Sequence, residues 1–143
     1  MRTQLASHSV SVAGVVVDDH GRALLILRRD NHRWEPPGGV LELGESIDDG
    51  LRREVREETG LELEPATLTG VYKNMNRGII ALVFRCEVTG GELGVSDETE
   101  AFRWATESDV GDLASEAYAI RVPDSLRSSG PAAIRKHDGT QNL

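Results

Sequence analysis

The sequence predicts an α/β domain, on three observations. Val10–Val17 and Ala23–Leu27 are β-branched and aliphatic runs of strand length. Ser46 to Gly60 carries helix punctuation, a capping serine at one end and a glycine at the other. Further strand-like runs, Leu68–Tyr72, Ile79–Val88 and Ala101–Ala105, follow that helix, so strand and helix signals alternate along the chain.

The first two runs are separated by Asp18-Asp19-His20-Gly21, which reads as the turn of a hairpin. Arg28–Arg33 is polar and charged. Glu35-Pro36-Pro37-Gly38-Gly39 is expected to be a shaped loop, because prolines remove donors and glycines favour positive φ. Ser46-Ile47-Asp48-Asp49 is a capping-box variant, and Gly60 stands where a glycine just past a helix belongs. Between them Ile47, Leu51 and Val55 supply an apolar stripe at every fourth residue. Gly50, inside this helix, is expected to cost up to about 1 kcal/mol relative to Ala without touching the chemistry.

Beyond the helix, Gly90-Gly91 marks a turn, and Thr106-Glu107-Ser108-Asp109 starts a short helix through Leu113. A last helix begins near Ser115 and runs through Tyr118 and Ile120, with Pro123 breaking or restarting it. The expected domain spans residues 1–127. Residues 128–143 are polar and read as a C-terminal tail, on the surface or disordered.

The 143 residues hold one sizeable core but not two lobes. With Lys+Arg 16 against Asp+Glu 24, a net charge of -8 and no basic cluster, duplex nucleic acid is excluded as a ligand. The longest apolar runs, Val12–Val17 and Ile79–Phe84, fall far short of the roughly 20 residues that span a bilayer. No membrane segment is expected. Ser7, His8 and Ser9 interrupt the place where a signal peptide needs an apolar stretch, so a cytoplasmic location is expected. The lone Cys86, in an apolar run, reads as a buried thiol. His8, His20, His32 and His137 lack metal-ligand spacing and read as loop or tail residues.

The chemistry lies between Gly39 and Leu61. Glu54, Glu57 and Glu58 fall within an arc of about 100° on the helix, at the edge of the apolar stripe, while Arg52 and Arg56 point away. Carboxylates so close raise one another's pKa values unless a cation sits among them. A hard divalent cation such as Mg²⁺ is the natural partner, because it takes oxygen ligands and completes its shell with water and phosphate oxygens. Arg53, four residues before Glu57, is placed to orient that carboxylate.

Gly39, Glu45, Arg53-Glu54, Val55, Glu57-Glu58, Gly60 and Leu61 stand at the spacing of the Nudix box, and the whole segment resembles the signature of the Nudix hydrolase family. The lead-in Trp34-Glu35-Pro36-Pro37-Gly38-Gly39 is similar to that family's as well. The resemblance implies an α/β/α sandwich with a mixed sheet. It also implies pyrophosphohydrolase activity on a nucleoside diphosphate linked to another moiety, with Mg²⁺ or, in its place, Mn²⁺ as cofactor. By position it implies Glu54, Glu57, Glu58 and the Gly38 carbonyl as metal ligands, Arg53 as an orienting partner, and Glu45 in a structural role. Water activation would fall to Glu54 or Glu58, or to a later loop acid, for which Glu98 is preferred over Glu100. Pairing of two chains as a homodimer is compatible with the resemblance.

The substrate is less legible. Trp34, Tyr72, Phe102, Trp104 and Tyr118 are candidates for base stacking but are core formers by type. Arg28, Arg29, Arg33, Lys73 and Arg77 are candidates for phosphate or ribose contacts. No Pro lies between Ala66 and Val122, where many ADP-ribose-type relatives carry one after the box. Two rival readings stand beside hydrolysis. One is a non-catalytic nucleotide-sensing module, against which the intact set of glutamates speaks. The other is a diphosphate isomerase, for which Cys86 is a poor acid–base residue.

Overall fold

The computed structural model describes residues 4–127 and 129–143, with residue 66 through its backbone alone. Eight strands and four helices follow in the order β1 (Ser9–Val16), β2 (Ala23–Arg28), β3 (Trp34–Glu35), β4 (Gly38–Val40), α1 (Ile47–Thr59), β5 (Leu61–Asn74), β6 (Ile79–Gly91), β7 (Thr99–Ala105), α2 (Glu107–Leu113), α3 (Glu116–Ala119), α4 (Arg121–Leu126) and β8 (Ala133–His137). They form a five-stranded sheet, β4-β1-β6-β5-β8, and a three-stranded sheet, β3-β2-β7. The first sheet is mixed: β1 runs parallel to β6 and antiparallel to β4.

The strand β1 is buried on both faces, which is why it reads as a continuous apolar run. Val12 and Val16 pack with Leu51 and Val55 of α1 and with Leu24, Leu61, Leu63 and Cys86. Ala13 and Val15 face the other way, into a core with Leu25, Tyr72, Val83, Val110 and Val122. Helix α1 thus covers one side, and α2, α3 and α4 the other. Cys86 is a buried thiol, as expected. Burial pushes its pKa up to about 12, so it is inert as a nucleophile.

The expected hairpin of β1 and β2 does not form as a ladder. The turn is present, with the Asp18 carboxylate accepting the backbone N–H groups of His20 and Arg22. Beyond one bridge, Val17 to Ala23, however, the strands part. Both edges of β1 are already occupied, by β4 and β6, so β2 pairs with β3 and β7 in the second sheet. The Trp34–Gly39 loop also carries more order than expected, since Trp34–Glu35 pairs with β2 and Gly38–Val40 with β1.

Helix α1 begins and ends as its punctuation predicts. Ser46 accepts the Asp49 N–H, and Gly60 adopts φ 83°, donating its N–H to the Arg56 carbonyl. The stripe is narrower than expected: Leu51 and Val55 are fully buried, but Ile47 is 41% exposed. Strands β5 and β6 are longer than their apolar cores, with bulges around Pro65 and Leu68, and β6 runs on through Gly90-Gly91. The last helical stretch breaks at Ile120, ahead of Pro123, which sits in the first turn of α4 where an N–H has no intrahelical acceptor.

The largest departure is the polar C-terminal segment. Residues 133–137 form β8, parallel to β5 from Gly70↔Ala133 to Asn74↔His137. Arg135 fastens it by two hydrogen bonds, 2.7 and 2.8 Å, to the buried Asp124 carboxylate, which also accepts the Tyr72 hydroxyl. As an edge strand, β8 leaves most of its side chains in solvent, which explains why it lacks an apolar signature. His137 is buried and is not a tail residue.

Candidate active site

The box helix and one loop build an acidic cluster. Glu54, Glu58 and Glu98 each offer a carboxylate oxygen, all within 4.8 Å of one another. Glu54 and Glu58 are four apart on α1 and lie on the same side of it, against the sheet. Strand β4 crosses above them: the Gly38 N–H donates to Glu58 Oε1 at 2.7 Å. The strand lies so close that a Cβ at Gly39 would run into the Glu54 carboxylate, and one at Gly38 into the Val12 carbonyl.

Arg53 organises the cluster from the outer edge. Its guanidinium donates to Glu45 at 2.6 and 2.9 Å, to Glu54 at 3.0 Å, to Glu57 at 3.3 Å and to the Val40 carbonyl at 3.2 Å. The sequence expectation placed Glu57 as its partner, whereas Glu45 makes the shorter contacts. Glu45 also accepts the Glu42 N–H, so it ties the Val40–Glu45 loop to α1. Hydrogen bonds from Arg53 and from Glu42 hold its pKa down, to about 2. Glu57 is not among the converging carboxylates; it is half exposed and turned to Arg53.

The two box acids nearest the sheet behave oppositely to Glu45. Burial pushes Glu58 up to about 8, and the neighbouring Glu54 and Glu98 charges add to the shift against the Gly38 hydrogen bond. Burial likewise raises Glu54, with Arg53 opposing. Negative charge is therefore costly here until a cation joins it, and an all-oxygen set of this kind fits a hard divalent ion.

Glu98 arrives from the loop before β7. Ser96 Oγ accepts the N–H groups of Glu98 and Thr99, while Arg29 donates from its backbone to the Glu98 carbonyl and from Nε to the Ser96 carbonyl. Arg29 thus pins the loop. Glu100 points elsewhere and pairs with His32 at 3.1 Å. Arg28 is committed to Asp30 and Glu35.

Beside Gly38 and Gly39 opens a cavity of about 110 Å³, lined by Arg28, Glu35, Asn74, Tyr118, Arg121 and His137 among others. Sequence reasoning missed Arg121, and assigned His137 to the tail. The available signal for the former was an arginine set between Ile120 and Val122 in an otherwise apolar stretch. Among the other aromatic candidates, Phe102 and Trp104 pack on the core beneath α1, and Trp34 on the opposite one. No helix is long and apolar enough to cross a membrane, among the described residues.

Comparison with known proteins agrees with this architecture. The chain is 55% identical over 132 residues to a MutT-like protein of Streptomyces ambofaciens, covering 92% of this chain and 85% of the relative. It is 34% identical over 127 residues to an ADP-ribose pyrophosphatase of Methanocaldococcus jannaschii, covering 83% and 73%. The crystal structure of an ADP-ribose pyrophosphatase from Streptococcus suis shares the fold with a TM-score of 0.76 at 20% identity, over 90% of this chain and 99% of that one. The NUDIX domain family matches residues 7–123, from β1 to the first turn of α4. The chain, with its glutamate-bearing box helix beneath the glycine strand, belongs to the Nudix hydrolase family.

Proposed function

We propose that the protein hydrolyses a diphosphate bond in a nucleoside diphosphate derivative, with Mg²⁺ or Mn²⁺ as cofactor. The observation that carries this reading is the convergence of Glu54, Glu58 and Glu98 within 4.8 Å beside an open cavity. These three would hold the ion, with the Gly38 carbonyl as a further ligand and Glu57 joining on leaving Arg53. Once bound, the ion would neutralise the diphosphate charge and polarise its phosphorus–oxygen bonds.

The chain's own residues do the rest. Glu54 and Glu58 are fixed by Arg53 and by the Gly38 N–H, so their oxygens are positioned before substrate arrives. Glu98 is the exposed member of the set, and its carboxylate accepts no hydrogen bond from the described residues. With one oxygen toward the ion, its other oxygen would take a proton from an attacking water. Arg53 holds its own charge firmly, since the Glu45 hydrogen bond raises its pKa.

The test is phosphate release, coupled to pyrophosphatase or phosphatase, across nucleoside triphosphates, oxidised nucleotides, nucleotide sugars, dinucleoside polyphosphates and ADP-ribose. ADP-ribose is on the panel because a relative at 34% identity is named for it, although the chain lacks the proline after the box. Turnover with Mg²⁺ or Mn²⁺ that EDTA abolishes supports the proposal. Silence across the panel, with a nucleotide still raising the Tm, favours a sensing module.

A further inference from the structure

The cavity beside the box carries an unusual cation. Arg121 is buried, yet its Nε finds no hydrogen-bond partner, and its side chain forms no ion pair among the described residues. Its guanidinium lies between two aromatic faces instead, 4.4 Å from the Tyr118 ring centroid and 5.0 Å from that of Tyr72. Burial lowers its pKa, but a guanidinium remains protonated at neutral pH. Stacking on aromatic faces offsets part of the desolvation of a charge and leaves the in-plane donors unused.

Two further side chains at the cavity present donors. His137 Nδ1 accepts the Gly139 N–H at 2.9 Å, so the proton of the neutral ring sits on Nε2. Asn74 Oδ1 accepts the N–H groups of both Asn76 and Arg77, which leaves the amide nitrogen as its free end. The carboxylate that lines the cavity, Glu35, is paired through Oε1 with Arg28 at 3.0 Å and acts on Arg121 through its charge alone, with no hydrogen bond between them. Three unclaimed donor groups, one of them a buried cation, thus line a space of about 110 Å³, several times the roughly 30 Å³ share of a water molecule.

We propose that this cavity takes a compact oxyanion, a phosphate or a carboxylate, carried by the substrate apart from the diphosphate that is cut, with Arg121, Asn74 and His137 as its donors. Its place on the substrate rests on the hydrolase reading above, while the binding of the anion does not. Asn74 and Arg121 come from β5 and α4, and His137 from β8, beyond the residues matched by the family. The pocket therefore depends on a strand outside the segment that the family model matches.

The proposal is tested with the full chain in EDTA, so that neither metal nor turnover enters. Inorganic phosphate and acetate are titrated separately at constant ionic strength, reading the Arg121 Nε–H and His137 imidazole resonances. Saturable shifts with phosphate identify a phosphate as the occupant, and shifts with acetate a carboxylate. Arg121→Met should weaken the anion about tenfold or more while the chain stays folded, because methionine still fills the space against the two tyrosines. Should that variant not fold, Arg121→Lys retains charge but not the planar fork and should still weaken binding severalfold.

No shift with either anion in the wild-type chain overturns the proposal, as does unchanged affinity in whichever variant folds. A lower Tm with unchanged binding in Arg121→Met would make Arg121 a structural staple between the tyrosines. Failure of the hydrolysis panel leaves this titration unaffected, so the two readings fall separately.

Discussion

The Gly38 N–H reaches Glu58 across 2.7 Å, joining the glycine strand to the acidic face of the box helix. That bond partly offsets the cost of keeping a buried carboxylate ionised beside two others. A divalent ion would complete the compensation.

Glu58 has its pKa raised to about 8 in the metal-free fold against an ordinary 4.5. The native state then binds more protons than the unfolded chain, so this group's contribution is fully present below about pH 4.5 and is lost as pH rises through about 8. The Tm measured in EDTA should fall across that window, Glu58→Gln should flatten the fall, and Mg²⁺ should restore wild-type stability. The same variant should lose metal-dependent turnover by about a hundredfold or more. A wild-type profile and rate in Glu58→Gln would remove this residue from the site.

The Glu45–Arg53 pair has the opposite pH signature. With the Glu45 pKa held down at about 2, its stabilisation is present above its ordinary 4.5 and disappears as pH falls through about 2. Glu45→Gln should therefore soften the acid limb of an unfolding titration. Arg53→Lys, which cannot span Glu45, Glu54 and Val40 at once, should weaken metal affinity by about 10- to 100-fold. Isothermal titration with Mn²⁺ reads that directly.

Glu98→Gln should reduce turnover more than Glu100→Gln, because only Glu98 joins the acidic cluster. Arg29→Ala should lower kcat as well, by releasing the loop that presents Glu98. Equal rates for the two glutamine variants would take Glu98 out of catalysis.

Gly50→Ala separates propensity from packing. Helix propensity favours alanine by about 1 kcal/mol. A Cβ there, however, would press on a Leu41 methyl and on Glu45 Oε1, which Arg53 holds in place. The variant should gain no stability in urea unfolding and should lose part of its activity, contrary to the sequence expectation that Gly50 lies clear of the chemistry.

Much of this was legible in the sequence, and for physical reasons. Ser46 and Gly60 bracket α1 because caps act locally, and Glu54 and Glu58 could be placed by helical geometry alone. The preference for Glu98 has no geometric basis in the sequence, since a contact between a loop and a helix some forty residues away leaves no local trace. Edge exposure hid β8, and parting of β1 from β2 was invisible because it follows from competition for sheet edges. Arg121 went unnoticed because charge is ordinarily read as solvated, and only the two tyrosines and the cavity make it otherwise.

Strand β8 also has a kinetic meaning. It pairs with β5 alone, across more than sixty residues of intervening chain, so its docking closes a long loop and comes late in folding. As an edge strand it is held by five residue pairs with β5, by the Arg135–Asp124 bonds and, through the residues after it, by hydrogen bonds of Thr140 and Asn142 with α3. Native-state hydrogen exchange should find the amides of Ala133–His137 opening before those of β1 and β6. Each such opening would carry His137 away and dissolve one wall of the cavity while the glutamates of α1 stay assembled.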